Sequence, residues 1–153
     1  MDNKEIVETL NTLVETSRDG DKGFSACAAD AKDASLKAYF TICATRCRTS
    51  VNAMESKVRE LGGVAETSGT VAAGVQRAWL GLRTSITSND DLVVLEECER
   101  AEDVAKAAYS AALAKDLPAT VRELVQQQYD GVKANHNHVR ALRDARKLAT
   151  VRT

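Results

Sequence analysis

Three side chains able to do chemistry interrupt stretches that are otherwise apolar at helical spacing: Asp21, Glu102 and His136. Glu102 is the clearest case. Between Asp90 and Asp116, Leu92, Leu95, Cys98, Ala101, Ala105, Tyr109 and Ala112 recur with a helical period, and Glu102 falls inside their stripe, flanked by Leu95, Tyr109 and Leu113. A carboxylate on a buried face is unfavourable unless a cation, a donor or a proton compensates it. Two carboxylates and an imidazole could share a proton or pair with Lys133 or an arginine. They could also hold one iron, zinc or manganese ion, since open sites often have three protein ligands. Glu99 and Cys47 would be additions to such a ligand set.

Other catalytic patterns are missing. The sequence has no Gly-rich phosphate loop, no GxSxG and no HExxH, so it names no catalytic residue. His136-Asn137-His138 has the look of a metal box, but alternate residues of a helix point ~200° apart, which leaves His138 at the surface or edge. The four cysteines, Cys27, Cys43, Cys47 and Cys98, form no CxxC pair and no zinc spacing. All fall on or beside apolar helix faces, where cysteine behaves as a small hydrophobe.

The elements that must position these residues are helices. The 153 residues are enough for one domain and include a single proline, Pro118, and only 4% aromatics. Abundant alanine with few aromatics suits closely packed helices better than a β-sandwich. The formal charge of −1 asks for neither nucleic acid nor an anionic membrane. No apolar run approaches the ~18 residues of a membrane span, and the polar start MDNKEIVETL has no signal-peptide core, so a cytoplasmic protein is expected.

In order, a first helix over about 3–31 presents Ile6, Leu10, Leu13, Val14, Ser17 and Phe24, with Asp21 inside its apolar arc. Gly20 and Gly23 weaken that helix and point to a kink or a close helix contact. Asp33 is placed to cap a second helix over about 34–61, which buries Leu36, Phe40, Cys43, Cys47, Val51, Met54 and Val58 and ends at Gly62-Gly63. The link from Val64 to Asn89 is too long for a bundle turn and carries its own amphipathic helix over about 70–87, anchored by Trp79. Capping oxygens at Ser88 to Asp91 open a third long helix over about 90–116. Pro118 opens the last, over about 118–147, with Asn135 on its inner face, His136 at the edge and Arg140, Arg143, Arg146 and Lys147 in its tail.

Two short corners and one long link describe an all-α four-helix bundle with a crossover between its second and third long helices. That wiring places the end of helix one, the start of two, the start of three and the end of four together. Counted inward from there at 1.5 Å per residue, Asp21, Cys43, Glu102 and His136 lie at depths that agree within ~3 Å.

The segments LNTLVETSRDGDKGF (10–24), ECERAEDVAKAAY (97–109) and ANHNHVRALRDA (134–145) resemble a bacterial family known as domain of unknown function 2383, of the ferritin-like superfamily. The resemblance implies a ferritin-like bundle plus crossover helix, and no particular reaction. The wider superfamily builds a di-iron centre from one Glu on each of two helices and Glu-x-x-His on each of the other two. On that pattern Asp21 stands for the first-helix carboxylate, Glu102 for the third-helix one and His136 for the fourth-helix histidine. Lys133 occupies the place of the carboxylate three residues before His136, and the second helix offers only Arg46, Cys47 and Ser50. The set is incomplete for two metals.

The sequence therefore favours a non-catalytic bundle with a degenerate metal centre. It would act by homodimerisation or by binding another protein, and related bundles supply an analogy with stress physiology. The alternative is a metal-dependent redox or storage protein using Asp21, Glu102 and His136.

Overall fold

The computed structural model describes residues 1–65 and 90–152. They form α1 (Asn3–Asp30), α2 (Ala34–Glu60), α3 (Asp91–Leu113) and α4 (Ala119–Arg152). The crossover helix expected over 70–87, with Trp79, lies outside the described residues.

Local chemistry sets the helix ends. Asp2 and Glu5 close a capping box at the start of α1. Asp33 accepts from the backbone N–H of Ser35 and Leu36 to open α2, and Asp90 accepts from Leu92 to open α3. Gly62, at φ +78°, takes the left-handed conformation that ends α2. Helix α3 stops at Leu113, short of the expected Asp116, where the Arg122 guanidinium donates to the carbonyls of Leu113 and Lys115. Helix α4 continues past the expected Lys147 to Arg152.

The expected wiring is present and is latched by side chains. Asp91 is buried at the start of α3, and its carboxylate accepts from the backbone N–H of Lys32 (3.0 Å) and Asp33 (3.1 Å) in the α1–α2 corner. Arg146, near the end of α4, reaches Asp33 at 2.6 Å and Asp91 at 3.8 Å. One end of the bundle thus gathers the end of α1, the start of α2, the start of α3 and the end of α4. At the opposite end Lys115 Nζ donates to Thr9 Oγ1 at 3.1 Å, and Asn11 donates to the carbonyl of Val64 at 3.1 Å. The chain therefore leaves α2 over the α1 side.

Helix α1 packs most extensively on α2, and α3 on α4; α1 also meets α3, while α2 and α4 touch sparsely. The core is in two halves. Phe24, Cys27, Leu36, Phe40, Leu95, Cys98 and Val139 fill the latched end. Leu10, Leu13, Val14, Met54, Val58, Tyr109, Val121 and Val125 fill the other. Between them lies a waist of small and polar residues, including Ser17, Gly20, Cys47, Glu102, Gln128 and Asn135.

Gly20 supplies the close helix contact. A Cβ added there would lie 2.9 Å from Cys47 Sγ, but 3.9 Å from Cys47 Cβ. Gly20→Ala should therefore cost on the order of 1 kcal/mol, overpacking outweighing alanine's better helix propensity. In a Cys47→Ala background the same change should become neutral or stabilising. Urea midpoints of the four proteins check this; a destabilisation that persists in the Cys47→Ala background would place the conflict elsewhere.

Candidate functional site

Glu102 lies in the waist with 3% of its surface exposed. Its main partner comes from the neighbouring helix. Asn135 Nδ2 donates to Glu102 Oε2 at 2.6 Å, and Cys98 Sγ, one turn back on α3, donates to Oε1 at 3.6 Å. The amide oxygen of Asn135 in turn accepts from Cys43 Sγ at 3.2 Å and from the Tyr39 hydroxyl. One amide thus joins a carboxyl on α3 to a thiol and a phenol on α2. Beside it, Ser17 Oγ lies 3.1 Å from the Tyr109 hydroxyl, which donates to Gln128 Oε1 at 3.0 Å, while Gln128 Nε2 donates to the Ser50 carbonyl at 3.3 Å.

Burial dominates the electrostatics of this cluster. It pushes the Glu102 carboxyl up to about 8, against the lowering effect of its Asn135 and Cys98 donors and with help from the nearby Asp103 and Glu99 charges. Glu102 is therefore largely protonated at neutral pH. Burial also pushes the Cys43 thiol up to about 11 and the Cys47 thiol up to about 12, and raises Cys98 and Tyr39. All four cysteines are free. As protonated thiols, Cys43, Cys47 and Cys98 are poor nucleophiles and poor ligands, because the thiolate is the reactive form.

The other residues singled out in the sequence have their own partners. Asp21 faces outward, 2.6 Å from Arg48 Nη1 and 3.3 Å from Ser25 Oγ, so no described contact joins it to Glu102. Glu99 binds the Arg143 guanidinium and lies 3.9 Å from Arg140 Nε. His136 is buried rather than at an edge, with Nε2 2.7 Å from Asp103 Oδ1 and 3.8 Å from Glu99 Oε1. Neither contact has hydrogen-bond alignment, and among the described residues both ring nitrogens are without a hydrogen-bond partner, so the interaction with Asp103 is one of proximity. Cys47 packs on Gly20, and His138 lies at the surface with its ring 4.6 Å from that of Tyr39.

Residues 5–115 match the family described as "Domain of unknown function (DUF2383)". The chain belongs to this family. A solved structure described as "A Dodecameric Thioferritin in the Bacterial Domain, Characterization of the Bacterioferritin-Related Protein from Bacteroides fragilis" is also similar. It covers 99% of this chain and 92% of its own, with a TM-score of 0.78 and 14% sequence identity. At that identity the likeness establishes a ferritin-like fold and nothing finer. No curated protein matches the sequence.

For a ferritin-like member of the DUF2383 family, the donor set is the test of a metal centre. Among the described residues no three His, Cys, Asp or Glu side chains converge as a ligand group. The physical reason is visible around Glu102: its nearest polar neighbours are an amide, a phenol and protonated thiols. The carboxylates expected beside it have turned to Arg48 and Arg143. The depth match drawn from the sequence could not settle which way each side chain points. The residues as arranged do not fit the two-metal group. Asn135 and Tyr39 are the partners that the sequence reading missed. Tyr39 stands one turn before Cys43, and that i, i+4 relation was the available signal.

Proposed function

We propose that the protein is a non-catalytic ferritin-like bundle acting through its outer surface, by self-association or by holding another protein. In this reading the level of the superfamily's metal centre has become a hydrogen-bonded layer of the core. The observation that carries it is the Asn135–Glu102 pair at 2.6 Å, an amide supplying the compensation that a metal ion would otherwise give. A neutral carboxyl with an amide donor is self-sufficient, whereas a cluster of anionic carboxylates would need a cation. Homodimerisation is the simplest assembly for this surface role; the neighbouring Bacteroides fragilis structure is described as a dodecamer.

Elemental analysis of protein purified without chelator or affinity tag, before and after anaerobic Fe(II) loading, tests this. The expected result is no stoichiometric metal. About one equivalent of iron, zinc or manganese, lost in Glu102→Gln and His136→Ala, would instead support a metal-binding redox or storage role through one ion. Light scattering at high micromolar concentration should give a mass above that of the monomer, and a monomer mass would remove self-association.

A further inference from the structure

The sparse contact between α2 and α4 leaves a cleft of about 620 Å³ that reaches the waist of the core. That volume lies in the range of small-molecule sites, which are mostly apolar with a few placed polar groups. Phe24, Ala53, Ala105, Leu124 and Val132 line it, and the polar side chains nearest its base are already paired. Ser17, Tyr109 and Gln128 bond one another, and Asn135 joins Glu102 to Cys43. The interior therefore offers apolar contact and few free hydrogen-bonding groups, which disfavours a sugar or a nucleobase.

Two residues of the lining point to an occupant. Arg46 stands exposed at the mouth and, among the described residues, pairs with no carboxylate. Its charge nonetheless reaches the interior, lowering the Cys43 thiol against the larger effect of burial. Gly131, within α4, lies on the opposite wall, and a Cβ there would meet nothing within 4 Å. A glycine inside a helix weakens it relative to alanine. Among the described residues neither a close neighbour nor a positive φ explains Gly131, and the absent side chain leaves that stretch of the cleft's lining unfilled.

We infer that the α2–α4 cleft binds a small amphipathic carboxylate, with its apolar chain in the waist and its anionic head on the Arg46 guanidinium. Charge complementarity selects the head, because Arg46 offers a fork of donors to an anion and is the one cationic side chain lining the cleft among the described residues. From Arg46 to Ala53 the α2 wall runs ~10 Å, enough for a medium-length alkyl chain. The inference goes beyond the surface role proposed above and does not depend on whether metal is bound.

Decanoate is the probe, with decanol and decylamine as uncharged and cationic counterparts, measured by isothermal titration calorimetry on the full chain. Decanoate should bind at one saturable site, and decanol, decylamine and the Arg46→Gln protein should each show affinity weaker by roughly tenfold or more. Gly131→Leu should abolish decanoate binding while leaving the helical circular dichroism and the melting transition intact, since its side chain enters open space. Arg46→Gln alters an exposed position and provides a folded second variant. Absence of saturable decanoate binding would overturn the inference. So would undiminished binding to Gly131→Leu, or equal affinity for decanoate and decanol.

Discussion

Glu102→Gln is expected to match the parent protein in stability near pH 4.5 and to exceed it by on the order of 4 kcal/mol near pH 8. The sign follows from the direction of the shift. The Glu102 carboxyl has its folded value raised to about 8 from an ordinary value of 4.5. Between those values the folded protein keeps a proton that the unfolded chain has released, so stability falls as pH rises. The contribution of this group is fully present below pH 4.5 and is lost as pH climbs through about 8. Each pH unit inside the window costs up to ~1.4 kcal/mol.

Glutamine resembles the protonated side chain. Asn135 Nδ2 already occupies Oε2 as a donor, which leaves the proton on Oε1; in that form the Cys98 sulfur turns from donor to weak acceptor, as it would for a glutamine amide in the same place. Asp19, raised to about 6 first by burial and then by Glu15, acts in the same direction at lower pH. The interval from pH 6 to 8 is therefore the cleaner test of Glu102. Urea unfolding midpoints of the two proteins across pH 4.5 to 8 are the measurement. Parallel stability curves would show that the carboxyl is charged in the folded state and that its partners lie elsewhere.

The architecture was legible because helix chemistry is local. Asp33, Gly62 and Asp90 act at helix ends within a few residues of their own positions, and the apolar stripes had a helical period. The buried carboxyl was legible for the same reason: Glu102 is one anion inside one stripe. Its partner was harder to find, because neighbouring residues on a helix differ by ~100° in direction and stripe positions tolerate that error. Depth along the bundle drew attention to His136, but the adjacent Asn135 carries the bond. On α1 the same single step separates Gly20, which packs on Cys47, from Asp21, which turns to Arg48. Positive charge at a helix C-terminus is favoured by the helix dipole, a sufficient local explanation for the basic tail of α4. Its pairing of Arg143 with Glu99 and of Arg146 with Asp33 spans distant parts of the chain that no local pattern encodes.

The second large effect should come from Asn135→Leu, a substitution of similar volume that removes both ends of the amide bridge. Glu102 would keep only the weak Cys98 thiol, and the Tyr39 hydroxyl and Cys43 thiol would lose their shared acceptor. Each buried polar group left without a partner costs about 1–3 kcal/mol, while leucine recovers part of this through apolar burial. The net loss should be about 3 kcal/mol, lowering the melting temperature by roughly 6–12 °C for a chain of this length. Loss of the Asn135 donor should also raise the Glu102 carboxyl further, so that the decline of stability still begins near pH 4.5 but extends to higher pH. Adding Glu102→Leu should restore much of the lost stability, because replacing both partners of a buried polar pair with apolar groups is far milder than orphaning one. Thermal and urea unfolding of the two single variants and the double give the coupling energy directly. A single-variant loss below about 1 kcal/mol, or a double variant worse than the sum of the singles, would mean that the amide does not hold this layer together.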